Sequence, residues 1–307
     1  MYGARLSWAD LPAHVHLFVS DVLGSPVVSA RTQPAGFSPG SADRVVTAAG
    51  DRAFVKAVNP RQNPDTPALH RREATVLPSL AGVGAVPRLL AVHDDGEWVV
   101  LVIEDVEGRH PRLPWSQGEL DLTFDALAQL ATVDAPATWP GLQEELQGEF
   151  SCWRRVIEDP PESLDPWVEV RVEELDDLAR RTLPRLGGSA VAHTDLRADN
   201  LLIEGDGAVR VVDWPWASRG APWFDAVSLL VNVRWSGELD VRPSLPRITD
   251  LGATRTDVLG TLAGLGGFLL DASRRPAKPG LPTLRVFQAE QWRATLRLLQ
   301  ELGTWAA

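Results

Sequence analysis

Apolar and polar residues alternate in short runs along the first hundred positions, and the runs end at turn residues. Such runs predict strands, and they lie at 27–30, 44–47, 53–58, 88–93 and 98–103. Turn residues at 49–51 and 94–96 separate neighbouring runs, which indicates an antiparallel meander. One stretch, 69–80, spaces its apolar residues as a helix does and carries Glu73 inside it.

The pattern changes after a joint that contains Pro111 and Pro114. Apolar residues then recur every three or four positions, which predicts helices at 120–133, 142–157, 164–183, 224–233, 257–272 and 284–302. Between the third and fourth of these, 201–203 and 209–212 predict a short β-ribbon. The sequence therefore predicts an α+β fold with an N-terminal part, 1–106, built on a small antiparallel sheet, and a larger, mostly helical part, 107–307.

Composition narrows the choice of partners and compartment. The net charge of −11 argues against nucleic acid and favours a cationic small molecule. No apolar run approaches the roughly 20 residues that span a bilayer, which argues against a membrane partner. Cys152 is the only cysteine, so the sequence excludes an intrachain disulfide and a cysteine-based zinc site. These features predict a cytoplasmic protein, and they fit a monomer or a homodimer.

The segment 191–200 has the pattern H-x-D-x-x-x-x-N, formed by His193, Asp195 and Asn200. Asp213 follows thirteen residues later, at the end of an apolar run. Phosphoryl transfer needs a carboxylate at the acceptor hydroxyl and oxygen ligands that hold Mg²⁺ against phosphates. This spacing can supply both from one loop and one neighbouring strand, so it predicts a kinase for a small molecule.

In this motif and in the order of its elements, the chain resembles the aminoglycoside phosphotransferase family of the protein-kinase-like fold. The likeness spans essentially the whole chain and is most specific over 191–225. It implies a bilobal fold that binds a nucleotide between a nucleotide-binding lobe, 1–106, and a helical lobe, 107–307, with the catalytic loop, metal site and acceptor pocket. The implied cofactors are ATP, with GTP left open, and Mg²⁺.

The resemblance also implies roles for the motif residues. Asp195 would orient the acceptor hydroxyl, whereas a residue of this type alone could cap a turn. Asn200 and Asp213 would hold the metal ion, since Mg²⁺ prefers hard oxygen donors. His193 would brace the catalytic loop. Asp225 opens an apolar helix, so it could brace the same loop, cap that helix, or do both.

Two positions differ from the kinase pattern, and they change what we expect for phosphate contact and for regulation. Arg197 stands where related kinases place Lys or His, and we predict that it contacts the γ-phosphate; pairing with Asp199 or a surface position are the alternatives. Trp214-Pro215 replaces the Phe-Gly that follows the metal-binding Asp, so the backbone freedom of glycine is lost. No Ala-Pro-Glu follows. The sequence thus favours a constitutively formed site over a regulated protein kinase.

On the nucleotide side, Lys56 lies in a predicted strand and Glu73 lies seventeen residues later in the predicted helix. By resemblance, Lys56 would contact the α- and β-phosphates and Glu73 would hold Lys56. The alternative is that both side chains are solvated, and Arg71 and Arg72 beside Glu73 suggest an exposed face.

Small residues before the second strand occupy the position of a phosphate-covering loop. Gly36, Ser38 and Gly40 would let backbone N–H groups and a hydroxyl approach the phosphates, and an ordinary hairpin turn is the alternative. The connector after the fifth strand would bind the adenine edge through the backbone of Glu104 and Val106.

The acceptor is the least determined part of the prediction. Residues 144–177 contain twelve acidic and three basic side chains, which suits a cationic aminoglycoside-like antibiotic or an amino sugar and hence antibiotic resistance. A solvated helix face is the alternative for this segment. The other functions that fit are a kinase for an amino alcohol or a nucleoside and a non-catalytic, nucleotide-binding pseudokinase scaffold.

Overall fold

The alternating runs near the N-terminus form strands because every second side chain can be buried on one face. The computed structural model describes residues 6–33, 40–277 and 281–303. Up to His110 its elements are α1 (Ala13–Leu23), β1 (Val27–Thr32), β2 (Ser41–Thr47), β3 (Arg52–Val58), α2 (Thr66–Ser79), β4 (Leu89–Asp94), β5 (Val99–Glu104) and β6 (Gly108–Arg109).

The remainder is mainly helical, with short strands around the motif. In chain order it contains α3 (Gln117–Leu130), α4 (Leu142–Glu145), α5 (Cys152–Glu158), α6 (Pro166–Glu169), α7 (Val172–Thr182), β7 (Ala190–Ala192), β8 (Leu201–Glu204), β9 (Val209–Val211), β10 (Ser218–Gly220), α8 (Phe224–Ser236), α9 (Leu245–Asp250), α10 (Arg255–Ser273) and α11 (Leu284–Leu302). Short 3₁₀ turns separate several of these helices.

The chain forms two compact units. The first consists of the described residues up to His110 together with Asp199–Trp216 and 281–282. The second consists of Pro111–Ala198, Ala217–Ala277 and the described residues from Thr283 onward. The first unit therefore includes the segment that carries Asn200 and Asp213, which the sequence analysis grouped with the helical lobe.

The five-stranded sheet of the first unit is antiparallel throughout and has the order β1-β2-β3-β5-β4. All but the last residue of β5, which lies between β3 and β4, are buried. Helix α1 packs its apolar face on the sheet, where Val15 and Val19 join a core with Val45, Val55 and Val100. This packing fixes β3 and therefore the position of Lys56.

The predicted ribbon forms β8 and β9, which pair with each other and, through β8, with β6. The Val211 N–H also donates to the Ala85 carbonyl at 2.7 Å. These backbone bonds place the ribbon in the first unit. Sequence patterns show that the ribbon is paired, but they do not show which segment lies beside it.

The second unit is packed around α10, whose small residues admit large aromatic side chains. A Cβ on Gly264 would lie 2.4 Å from the Phe150 ring, and one on Gly267 would lie 2.8 Å from the Trp153 indole. Trp153 is fully buried, and its indole N–H donates to the Ala263 carbonyl at 2.7 Å. Close approach of this kind requires glycine, and it gives a packing role to one of the twelve tryptophans.

Several predicted elements match and others differ. The last predicted helix coincides with α11. The prediction of one helix over 142–157 was wrong: α4 ends at Glu145 and α5 starts at Cys152, with Gly148 between them. The predicted helix 164–183 is likewise divided into α6 and α7. Helices α1 and α9 were not predicted.

Within the described residues, no helix is long and apolar enough to cross a bilayer.

Candidate active site

One lysine of the first unit is held by two carboxylates. The Lys56 ammonium lies 2.9 and 2.7 Å from the two oxygens of Glu73 and 2.6 Å from Oδ1 of Asp213. These residues come from β3, α2 and the segment after β9. The structure thus brings together three predicted site residues that are far apart in sequence.

The charges in this triad reinforce one another. Burial lowers the pKa of the Lys56 ammonium, but the carboxylates of Asp213 and Glu73 outweigh that effect, so the pKa lies above its ordinary value. Burial raises the pKa of the Glu73 carboxyl, and the Lys56 charge opposes that rise. Lys56 therefore remains a cation at physiological pH. Glu73 is buried, so the alternative of a solvated Glu73 is wrong.

The backbone around Asp213 is held in an unusual conformation. Asp213 has φ of 68°, the left-handed region that residues other than glycine seldom adopt. The next N–H, of Trp214, donates to Oε1 of Glu73 at 3.2 Å, and the fully buried indole donates to the Val211 carbonyl at 2.7 Å. Glu73 therefore accepts from both Lys56 and the backbone that follows Asp213. This arrangement fixes the direction of the Asp213 carboxylate.

Asn200 is tied by its backbone to the same segment. Its carbonyl accepts the Val212 N–H at 2.9 Å, one residue before Asp213. Asn200 is buried, whereas 41% of the Asp213 side chain is exposed. An amide and a carboxylate are hard oxygen donors of the type that Mg²⁺ takes from proteins. The chemistry of this pair therefore fits a magnesium site.

In the connector after β5, the Glu104 carboxylate and the Val106 carbonyl accept hydrogen bonds from neighbouring residues. The Glu104 carboxylate accepts from the Arg88 N–H at 3.0 Å and from Arg210 at 3.2 Å. The Val106 carbonyl accepts from Gly108 and from Arg44. The N–H of buried Val106 has no hydrogen-bond acceptor within the described part of the chain. A buried N–H of this kind is suited to a ligand.

The buried carboxylate of Asp105, within this connector, was not predicted. Asp105 accepts from Nε of Arg44 at 2.6 Å and from Nε of Arg52 at 2.8 Å, so it joins the connector to β2 and β3. Its sequence context, Glu104-Asp105-Val106, resembles an exposed acidic turn. Only the strand register, which places both arginines beside it, reveals the interaction.

The predicted phosphate-covering loop is described only at its ends. Gly36 and Ser38 lie outside the described residues. Gly40 has φ of 135°, and a Cβ there would lie 2.9 Å from the Ala57 carbonyl oxygen, so the backbone requires glycine. At the base of the loop, fully buried Asp43 accepts from the Thr32 and Ser41 hydroxyls, both at 2.5 Å. Asp43 was not predicted. Its hydrogen bonds link Thr32 and Ser41, which lie on the two sides of the loop.

In the second unit, Asp195 is paired with Arg197. Nη1 of Arg197 lies 2.5 Å from Oδ1 of Asp195, and its guanidinium carbon lies 5.6 Å from the centre of the Phe287 ring. About one third of the Asp195 side chain is exposed, 32%, so the carboxylate remains accessible. The predicted phosphate contact of Arg197 stays a prediction, because its partner here is the catalytic-loop carboxylate.

Helix α8 holds the segment 193–198, the predicted catalytic loop, by its backbone. The Asp225 carboxylate accepts the His193 N–H at 2.6 Å and the Thr194 N–H at 2.9 Å, and Thr194 has φ of 68°. Burial raises the pKa of Asp225, and the His193 ring and the two N–H donors oppose the rise. Asp225 makes no capping bond to its own helix, whose N-cap residue is Trp223. The Asp195 N–H lies 3.3 Å from Nδ1 of His193.

A second residue of α8, Asn232, holds the other end of the loop. Its Oδ1 accepts the Ala198 N–H at 3.2 Å and the Trp115 indole N–H at 3.1 Å. Asn232 follows Asp225 by seven residues, so both lie on the same face of the helix. Sequence analysis missed Asn232, although a polar residue within Leu230-Val231-Asn232-Val233 is the kind of signal that could have found it.

Three members of the acidic segment 144–177 form ion pairs with arginines. Asp176 and Asp177 pair with Arg180 and Arg181 on the same helix, and Asp159 pairs with Arg274. Exposed ion pairs of this type need no ligand. They support the interpretation of this segment as a solvated face.

The sequence model of the phosphotransferase enzyme family matches residues 36–265, three quarters of the chain. The chain belongs to the phosphotransferase enzyme family. It is a kinase-like small-molecule phosphotransferase, as the sequence predicted. No curated protein matches the sequence significantly.

Solved structures agree with this phosphotransferase assignment at the level of the fold. An aminoglycoside phosphotransferase from Alicyclobacillus acidocaldarius has a TM-score of 0.64 at 15% identity, with 96% of each chain covered. A putative fructosamine-3-kinase from Haemophilus somnus has a TM-score of 0.57 at 13% identity, covering 93% of this chain and 96% of that one. A mutant of aminoglycoside phosphotransferase APH(4)-Ia, in a ternary complex with ADP and hygromycin B, has a TM-score of 0.58 at 13% identity, covering 96% and 100%.

The phosphotransferase therefore has the predicted α+β, protein-kinase-like fold. The relatives named above differ in acceptor, so they leave the acceptor of this chain open.

Proposed function

We propose that this phosphotransferase transfers the γ-phosphoryl group of ATP to a hydroxyl of a small molecule. The observation that carries the proposal is the triad of Lys56, Glu73 and Asp213, in which two carboxylates fix one buried ammonium. Such an ammonium can pair with the α- and β-phosphates of a nucleotide. The N–H of Val106 would take an acceptor atom of the adenine edge, and the backbone at Gly40 would lie at the phosphates. The cytoplasm, where ATP is available, is the proposed compartment.

Asn200 and Asp213 would hold Mg²⁺, which when bound neutralises charge on the phosphate oxygens. Glu73 directs the Asp213 segment through Trp214, and the Val212 N–H fixes Asn200 relative to that segment. Asp213→Asn should therefore weaken Mg²⁺-dependent nucleotide binding, measured with a fluorescent ATP analogue with and without Mg²⁺. Equal Mg²⁺ dependence in the variant and the wild type would refute this metal role.

Asp195 would orient the acceptor hydroxyl and accept its proton. Its accessible carboxylate lies at the centre of a loop whose two ends are fixed by Asp225 and Asn232. Phosphoryl transfer depends mostly on positioning and on charge neutralisation, so a carboxylate held in place is sufficient. Arg197, which is ion-paired with Asp195, would place its positive charge near the transferred phosphoryl group.

A cavity in the second unit bears on the charge of the acceptor. It has a volume of about 480 Å³, and its lining includes Trp235, Glu290, Arg234, Arg293 and Arg297. Phe287 contacts both Trp235, at 6.1 Å between ring centres, and the Arg197 guanidinium, so the cavity adjoins the catalytic loop. Arg234 and Arg297 pair with the Glu301 and Glu238 carboxylates, so the charges around the cavity nearly balance and favour an uncharged hydroxyl compound. A cationic aminoglycoside or amino sugar rests instead on the acidic segment, in which Asp159, Asp176 and Asp177 pair with arginines.

The experiment is ADP release from Mg·ATP with a panel of acceptors. The panel contains aminoglycosides, amino sugars, amino alcohols, nucleosides, neutral sugars and sugar acids, and each is assayed with wild type, Asp195→Ala and the control Asp206→Asn. Asp206 lies on the exposed turn after β8 and accepts the Ala208 N–H, which an asparagine oxygen can also do. We expect acceptor-dependent release that the control retains and Asp195→Ala loses.

The same experiment tests the alternative functions. Mg·ATP binding without release for any acceptor, in wild type and variant alike, would favour a non-catalytic pseudokinase scaffold. Absence of nucleotide binding would refute the assignment of the triad. ADP release with aminoglycosides alone would identify the acceptor as a cationic compound and support a role in antibiotic resistance.

A further inference from the structure

Two histidines and an aspartate converge in the first unit, away from the residues assigned to phosphoryl transfer. His14 lies in the first turn of α1, His93 near the end of β4, and Asp95 in the turn that follows β4. Oδ2 of Asp95 lies 3.2 Å from Nε2 of His93 and 3.6 Å from Nε2 of His14. One donor atom from each residue lies within 4.8 Å of the other two. In the part of the chain that the structure describes, no other three His, Cys, Asp or Glu side chains meet that condition.

The two oxygens of Asp95 are used differently. Oδ1 accepts the N–H groups of Glu97 and Trp98 at 2.9 and 2.7 Å, which fixes the carboxylate in the turn. Oδ2 is directed at the two imidazoles. The carboxylate is therefore oriented before any ligand arrives.

We propose that His14, His93 and Asp95 form a binding site for one divalent transition-metal ion of the zinc type. Imidazole nitrogen with one carboxylate oxygen is a donor set that suits Zn²⁺ and its neighbours, whereas Mg²⁺ prefers oxygen alone. Bonds of about 2.0–2.1 Å in a tetrahedron place neighbouring donors about 3.3 Å apart. The two measured separations, 3.2 and 3.6 Å, are close to that edge length. A water would complete the tetrahedron.

The surroundings of the site leave it accessible and rigid. The side chains of His14, His93 and Asp95 are 46%, 30% and 37% exposed, so an ion can enter from solvent. Below them, the α1 residues Val15 and Val19 pack in the core with Val45 and Val55, which fixes the helix against the sheet. Asp94, the adjacent carboxylate, is paired with Arg71 at 2.7 Å and does not take part.

Bound metal would link α1, which carries His14, to β4, which carries His93. Because the ligands come from two elements that are separated by about eighty residues, bound metal would oppose separation of the helix from the sheet and stabilise the folded state. A His–Asp hydrogen-bonded cluster without metal affinity is the competing explanation. It predicts no dependence of stability on Zn²⁺.

The experiment measures Zn²⁺ binding by calorimetry and Co²⁺ binding by visible absorption, on full-length protein from which any affinity tag has been removed. The ligand variants are His14→Ala, His93→Ala and Asp95→Asn; the last keeps an oxygen that can accept the Glu97 and Trp98 N–H groups. The matched control is His16→Gln. His16 lies two residues from His14 on α1, but its Nε2 faces the Trp8 carbonyl at 2.8 Å.

We expect one Zn²⁺ per chain, tetrahedral Co²⁺ absorption, and affinity at least about tenfold weaker in each ligand variant but unchanged in the control. The midpoint of thermal unfolding should rise with Zn²⁺ in wild type and control only. Absence of binding in wild type, or equal affinity in all variants, would overturn the proposal. Phosphotransferase activity of His14→Ala should equal that of wild type, so failure of this site is distinguishable from failure of the proposed function.

Discussion

The two sets of candidate residues are held in place by different physical means. In the first unit, Lys56, Glu73 and Asp213 position one another through their charges. In the second, the catalytic loop is held through its backbone, whose N–H groups donate to Asp225 and Asn232 on α8. The charged groups of the first set are the ones that would meet phosphates. The backbone bonds of the second leave the Asp195 carboxylate available for chemistry.

This difference has energetic consequences. Removing one partner of a buried ion pair leaves a charge without compensation, which costs about 3–5 kcal/mol. Removing one acceptor of a backbone N–H costs about 1–3 kcal/mol. We therefore expect variants of the triad to lower both stability and nucleotide binding, and variants of α8 to lower the rate of transfer with a smaller loss of stability.

The largest effect is expected for Lys56→Met. It should lower kcat at least about a hundredfold, weaken nucleotide binding, and reduce the free energy of unfolding by about 3 kcal/mol, because Glu73 and Asp213 would face each other without a cation. Steady-state kinetics and urea denaturation would measure this. Arg71→Gln is the control on α2, since its exposed pair with Asp94 should contribute less than about 1 kcal/mol. Similar stability losses in both would contradict the charge-based description.

Arg197→Ala tests the ion pair between Arg197 and Asp195. We expect kcat to fall about tenfold to a hundredfold with little change in the KM for ATP, as for a group that acts mainly on charge in the transition state. Arg197→Lys should recover part of the rate, because it keeps the charge but not the planar guanidinium. An increase in the KM for ATP with unchanged kcat would assign Arg197 to ground-state nucleotide binding.

Asp225→Asn should lower kcat about tenfold, because an amide oxygen accepts the His193 and Thr194 N–H groups less strongly than a carboxylate does. Nucleotide affinity should stay at the wild-type value. The folded state raises the pKa of Asp225, so this group's contribution to stability is present at low pH and is lost as pH rises above about 4. Denaturation from pH 4 to 7 should therefore show the variant gaining stability relative to wild type. A constant difference over that range would contradict the raised pKa.

Asn232→Ala has the smallest expected effect on the rate. Loss of the acceptor for the Ala198 and Trp115 N–H groups should cost about 1–3 kcal/mol of unfolding free energy and lower kcat by less than Asp225→Asn does. Ser228→Ala, on the same helix, is the control; its hydroxyl donates to the Asp225 backbone carbonyl. If Asn232→Ala lowers stability without changing kcat, Asn232 supports packing alone and does not position the loop.

Sequence patterns were sufficient for the elements that bury their own apolar faces. The strands around Lys56, the helix around Glu73 and the ribbon before Asp213 follow from local alternation and spacing. The H-x-D-x-x-x-x-N pattern located the residues of the predicted catalytic loop, because their spacing lies within one short segment.

Interactions that depend on strand register or on distant packing were not accessible from the sequence. Asp105 meets Arg44 and Arg52 only because β2 and β3 lie side by side, and Asp195 takes Arg197 as its partner through loop geometry. The break between α4 and α5 was missed because the apolar spacing continues across Gly148. Helix α1 was missed although Val15 and Val19 are spaced as a helix requires.

The hydrogen bond from the Trp214 N–H to Glu73 affects which kinds of inhibitor could bind this protein. In protein kinases, the residue that follows the Asp corresponding to Asp213 packs in two ways, which set the active and the inactive state. Here that residue is anchored to α2 by the Trp214 N–H, its indole is buried, and Pro215 restricts the next torsion. Compounds that select the other packing should find little population to bind. Effective inhibitors of this phosphotransferase would instead compete with ATP for the arrangement that this hydrogen bond maintains.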